Sequence, residues 1–112
     1  MLVRLIVEEV DEQVVLRANG EIDTSTVDSL TNAVEAALDD GHERVFLDLS
    51  QITFIDSSGA GDLLAAHRAA EARGARLAVV APSSQVRRVV RLLGLEDRLH
   101  LFDDLQEAIR DL

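Results

Sequence analysis

The stretch whose reading decides the fold is Asp48–Leu64, DLSQITFIDSSGAGDLL. It opens on the end of an apolar run, Val45–Leu49, which reads as a strand, and then crosses a short turn. It meets Ile55-Asp56-Ser57-Ser58-Gly59 and continues with apolar residues at Ala60, Leu63 and Leu64, the spacing of one helix face. A pair of serines therefore stands where a strand becomes a helix. Short oxygen-bearing side chains are favoured at such a junction because they accept from first-turn amides that have no partner inside the helix. Asp56 or Ser57 is the expected cap. Gly59 and Ala60 put almost no side chain over those amides, which would let another molecule approach the backbone closely.

Upstream of this stretch, Leu2–Val7 and Val14–Ala18 are rich in strand formers, and Asp11-Glu12-Gln13 between them reads as the turn of a hairpin. The chain is expected to leave the sheet at Asn19–Asp23. Thr24 or Ser25 then caps a helix carrying Val27, Leu30, Val34, Ala37 and Leu38, which Gly41 stops. Downstream, the central helix runs to about Arg73 and ends at Gly74. Arg76–Ala81 is a buried strand closed by Pro82. Ser83 or Ser84 caps a helix with Val86, Val89, Val90 and Leu93, ended by Gly94. Leu99–Phe102 is a short strand. Asp103 with Gln106 resembles a capping box for a last helix striped by Leu105, Ala108, Ile109 and Leu112.

The order is thus ββαβαβαβα: an α/β chain with a mixed β-sheet, amphipathic helices packed on it and right-handed crossovers. Residues 1–112 read as one domain, without repeat or linker, and Leu47, Leu49, Leu63, Leu64, Val79 and Val90 are expected in its core.

Composition narrows the function. A formal net charge of −10 argues against a general nucleic-acid binder, which needs cations to replace counterions on phosphate, and suits a basic partner surface. No apolar run approaches the ~20 residues that span a bilayer, so no membrane insertion is expected. Acids stand where a signal peptide would have its small-residue cleavage site, so the chain reads as cytoplasmic. Without cysteine there is neither a disulfide nor a thiolate nucleophile or metal ligand.

Enzyme chemistry finds little support. A nucleophile elbow needs G-x-S-x-G, but Ile55 stands where the first glycine would be, and no motif surrounds His42, His67 or His100. Gly59-Ala60-Gly61 lacks the third glycine of a dinucleotide loop, since Leu64 occupies that position. Asp23, Asp48 and Asp56 could suit a hard cation, yet nothing in the sequence brings them together, and neither a metal nor a cofactor is expected. Arg87, Arg88 and Arg91 read as a solvated basic face.

Gly20-Glu21-Ile22-Asp23 with Thr26, Asp48-Leu49-Ser50, and Phe54-Ile55-Asp56-Ser57-Ser58-Gly59 with Gly61 and Leu63-Leu64 together resemble the STAS family (sulphate transporter and anti-sigma factor antagonist domains) along essentially the whole chain. The chain looks most like the stand-alone bacterial anti-sigma factor antagonists. That resemblance implies a non-enzymatic partner switch. The unphosphorylated antagonist binds an anti-sigma factor that is also a serine kinase, releasing a sigma factor. Phosphorylation on the serine after the motif's aspartate, here Ser57, switches it off, and a phosphatase resets it. Ser58 would support the loop. Asp23 and Asp56–Asp62, comprising Asp56, Ser57, Ser58, Gly59, Ala60, Gly61 and Asp62, would face the partner. Asp62 departs from the aliphatic residue usual in the family. The resemblance also admits a STAS subunit of a lipid-transport complex or a stress-sensing scaffold.

Overall fold

The computed structural model describes residues 2–112. Strands β1 (Val3–Val10) and β2 (Gln13–Ile22) form the expected hairpin. Helix α1 (Ser29–Asp39), β3 (Arg44–Ile55), α2 (Ser57–Ala72), β4 (Arg76–Val80), α3 (Ser84–Leu92), β5 (His100–Phe102) and α4 (Leu105–Asp111) follow. The sheet order is β1-β2-β3-β4-β5, with β1 antiparallel to β2 and all later pairs parallel. Because every crossover steps in the same direction across the sheet, a constant hand places their helices on one face. Residues of α1, α2 and α3 share the main core with Leu16, Leu47, Leu49 and Val79. On the opposite face α4 packs Ala108 against Val15, Phe46, Ala78 and Val80. The middle strands are therefore covered on both sides, which explains their unbroken apolar runs.

Several elements differ from the sequence expectation for identifiable reasons. There is no turn after Leu49: β3 continues to Ile55, and β2 continues through Asn19 to Ile22. The two are matched although β3 has 12 residues and β2 has 10, because β3 gains a residue at each of two register shifts, opposite Arg17/Asn19 and Gly20/Glu21. At the first, Asp48 accepts from the Ser50 amide at 2.8 Å and also pairs with Arg17, so an Asx bond holds the bulge. Thr24–Thr26 form a turn of 3-10 helix capped by Asp23, and α1 begins only at Ser29. Val27 lies outside that helix and is exposed.

The helix ends follow local chemistry. After α2 and α3, Gly74 and Gly94 take φ of +72° and +68°. The next residues, Ala75 and Leu95, donate back to Ala70 and Val90 at 2.9 Å, the Schellman arrangement. Ser83 caps α3 through the Val86 amide. Helix α4 is capped by Asp104 through the Glu107 amide, one residue beyond the expected Asp103–Gln106 pair. Leu47, Leu49, Leu63, Val79 and Val90 are buried, whereas Leu64 is half-buried at the margin of the core. Leu93, expected on the α3 stripe, is exposed, and Arg87 and Arg91 on that helix pair with Asp103 and Glu96.

Candidate functional site

The carboxyl ends of β2 and β3 lie side by side, with Glu21 opposite Phe54 and Ile22 opposite Ile55. In parallel sheets this end of the strands is where sites form. Both strands break into capped turns there. Asp23 is extended, and its carboxylate accepts from the Ser25 amide at 2.8 Å and the Ser25 hydroxyl at 2.6 Å. The Thr26 hydroxyl accepts from the Asp23 amide at 2.9 Å and donates to the Glu21 carbonyl at 3.1 Å, completing a reciprocal cap. The Ser25 hydroxyl, with the backbone N–H groups of Ser25 and Thr26, holds the Asp23 carboxyl below its ordinary pKa against the opposing effect of desolvation.

Asp56 plays the same part for α2. It is extended, its amide donates to the Ile22 carbonyl at 3.3 Å, and its carboxylate accepts from Gly59 at 2.9 Å. Ser57 and Ser58 are thereby the first two residues of the helix. Ser57 is exposed, and among the described residues its hydroxyl has no hydrogen-bond partner. Ser58 is half-buried, with its hydroxyl 3.4 Å from that of Thr24. A shallow depression lined by Asp23, Thr24, Ser25, Phe54 and Asp56 opens beside the pair.

Four residues expected to face a partner prove to be internal. A Cβ at Gly59 would stand 2.4 Å from the Ile22 carbonyl, so this glycine is required for α2 to start against β2 rather than for access from outside. Ala60 is buried in the main core. Asp23 is turned inward by its cap and is only 6% exposed. Asp62 does not project from α2 into solvent. Only 3% exposed, it accepts from the amides of Leu30 at 3.0 Å and Thr31 at 3.2 Å and from the Thr31 hydroxyl. Asp28, which precedes α1, adopts φ +70° and makes no capping bond. Asp62 thus caps α1 from a neighbouring helix. Gly61 stays exposed, with open space where a Cβ would lie. The outward surface consists of Thr24, Ser25, Phe54, Ser57 and Gly61, with Asp56 and Ser58 half-buried among them.

His67 is the histidine on the same helix as Ser57, and at ~1.5 Å rise per residue it lies about 15 Å further along the axis, out of reach of the hydroxyl. The three carboxylates considered for a cation each have another partner: Asp48 pairs with Arg17, and Asp23 and Asp56 accept from backbone amides as caps.

Residues 4–108 match the STAS domain family. The chain belongs to that family. It is 34% identical over 95 residues to the anti-sigma-F factor antagonist RsfB of Mycobacterium tuberculosis, covering 85% of this chain and 77% of RsfB. An anti-sigma factor antagonist from Mycobacterium paratuberculosis superposes with a TM-score of 0.80 at 28% identity, over 97% of this chain and 92% of its own. SpoIIAA in its unphosphorylated form gives 0.73 at 26% identity, over 97% and 98% of the two chains. The phosphorylated form of this Bacillus cell fate determinant gives 0.67 at 29%, over 96% and 97%. These relatives are binding regulators rather than enzymes, and this STAS chain belongs with them. Among the described residues no helix is long and apolar enough to cross a membrane.

Proposed function

We propose that the protein is an anti-sigma factor antagonist switched by phosphorylation of Ser57. In its unphosphorylated form it binds an anti-sigma factor that is also a serine kinase, and the bound sigma factor is set free. Transfer of a phosphoryl group to Ser57 ends the binding, and a phosphatase restores it. The observation that carries this reading is the state of the Ser57 hydroxyl. It is exposed at the first position of α2, unused by the fold, and set on a backbone held by the Asp56 cap. The exposed Thr24, Ser25, Phe54 and Gly61 around it form the contact surface, and the buried Asp23, Gly59, Ala60 and Asp62 hold that surface in shape. The relatives named as antagonists, and SpoIIAA in both phosphorylation states, support the same reading.

Incubation with ATP and the anti-sigma kinases of the native host, followed by intact-mass and fragment analysis, tests the assignment. One phosphate should appear, on Ser57, and Ser57→Ala should abolish it while Ser58→Ala retains it. Modification confined to Ser58, or none with a kinase that binds the chain, would refute the assignment of Ser57.

A further inference from the structure

Away from the serine pair, two imidazoles and a carboxylate meet where α2 passes the edge of the sheet. His67 and Glu71 stand four residues apart on α2 and so share a face. His100 opens β5, beside β4. The Nε2 atoms of His67 and His100 lie 3.6 Å and 3.5 Å from the same oxygen, Glu71 Oε1. One ligand atom from each of the three residues falls within 4.8 Å of the other two.

We infer that His67, Glu71 and His100 bind a divalent transition-metal ion, zinc being the natural occupant. The distances carry the inference. An N–H···O hydrogen bond has its heavy atoms about 2.7–3.2 Å apart, so these groups converge without bonding one another. Ligand atoms placed about 2.0–2.1 Å from a tetrahedral zinc are separated by about 3.3–3.4 Å, close to the two spacings found here. The rings are 5.3 Å apart between centroids and tilted by 57°, so they do not stack, and both direct Nε2 at the carboxylate. His67 Nδ1 is buried without a protein partner, which leaves Nε2 as the nitrogen this ring presents.

The donor set also selects among metals. Two imidazoles with one carboxylate suit zinc, nickel, cobalt or copper, whereas calcium and magnesium prefer all-oxygen shells. Glu71 and His100 are about half exposed, so water can complete the coordination. A bound ion would fasten the middle of α2 to β5. It lies about 15 Å along the helix axis from Ser57, and the inference does not rest on the reading of that serine.

The test uses the untagged chain, stripped with chelator and dialysed, then titrated with zinc chloride by calorimetry and with cobalt chloride by visible absorption. The expected result is one equivalent bound with micromolar or tighter affinity, the intense absorption of tetrahedral cobalt, and a melting temperature that rises with zinc. His100→Ala and Glu71→Gln alter half-exposed side chains and should melt like the unaltered chain without metal, while each loses about tenfold or more in zinc affinity. His42→Ala should bind as the unaltered chain does. Absence of saturable binding at one equivalent, or unchanged affinity in both His100→Ala and Glu71→Gln, would overturn the site.

Discussion

Asp62, expected to face a partner, serves the fold instead. An acid near a helix N-terminus is favoured by the helix dipole, and the helix Asp62 serves is α1. The donors it satisfies belong to Leu30 and Thr31, far away in the sequence, so no local pattern announces them. By contrast, the cap of α2 could be narrowed to Asp56 or Ser57 because cap and amide are three residues apart, and the geometry selects Asp56. Asp62→Ala should leave buried amides of α1 unsatisfied and cost about 2–4 kcal/mol in chemical unfolding, with an unchanged denaturant slope. A loss below ~0.5 kcal/mol would show that the α1 amides find water instead. At Asp23, the folded pKa lies below the ordinary carboxylate value of 3.8. Its contribution to stability is therefore present above that pH and is lost as pH falls through the folded value. Ser25→Ala removes the strongest of the bonds involved. The Asp23 carboxyl should then titrate at higher pH by NMR, and acid unfolding should begin earlier; an unmoved carboxyl would contradict this cause.

The ends of α2 and α3 can be read from the sequence because their stop signals are local, a glycine in the left-handed region and an apolar residue just after it, whereas the expected cap of α1 at Thr24 or Ser25 falls on a separate 3-10 turn and α1 starts at Ser29. Strand β3 looks shorter in the sequence than it is because two bulges shift the phase of its alternation, so Gln51–Phe54 does not look like a continuation of Val45–Leu49. The start of α4 slipped by one because Asp103-Asp104-Leu105-Gln106-Glu107 contains two overlapping capping patterns, and geometry selects the second. The hairpin turn was placed correctly, and its backbone is unusual for its residues. Asp11 and Glu12 have φ of 51° and 67°, the left-handed pair that Asn-Gly adopts with least strain. Replacing the two with Asn-Gly should raise stability by about 0.5–1 kcal/mol, relief of strain exceeding the added entropy of glycine in the unfolded chain. Thermal melting of the double variant checks this, and a lower melting temperature would mean that the acidic pair is stabilised in another way.

At the scale of the whole molecule, the sheet brings the ends of β2 and β3 together and so joins Asp23–Thr26 to Asp56–Ser58. The resemblance anticipated that joining. It did not anticipate the split between residues that support the surface and residues that form it, which depends on burial. The convergence of His67, Glu71 and His100 escaped the sequence because His100 reaches α2 only once β5 takes its place in the sheet. In this frame, phosphate at Ser57 should block a partner without unfolding the chain. A phosphate adds about −1.5 to −2 charge, and a helix N-terminus favours it by about 0.3–2 kcal/mol. Repulsion from Asp56 and Asp23 opposes this, but both carboxylates already accept from backbone amides, and the phosphate on exposed Ser57 lies in solvent, where salt screens charge within about 8 Å. The fold should therefore change little in stability, whereas an interface closing over Ser57 would have to desolvate the phosphate against groups shaped for a hydroxyl. The most direct test is calorimetric titration of the unphosphorylated and Ser57-phosphorylated chains against the isolated anti-sigma factor, with melting curves of both. Melting temperatures within a few degrees of each other are expected, with a loss of affinity of at least ~100-fold, about 2.7 kcal/mol. Equal affinities, or a collapse of the melting temperature on phosphorylation, would contradict it.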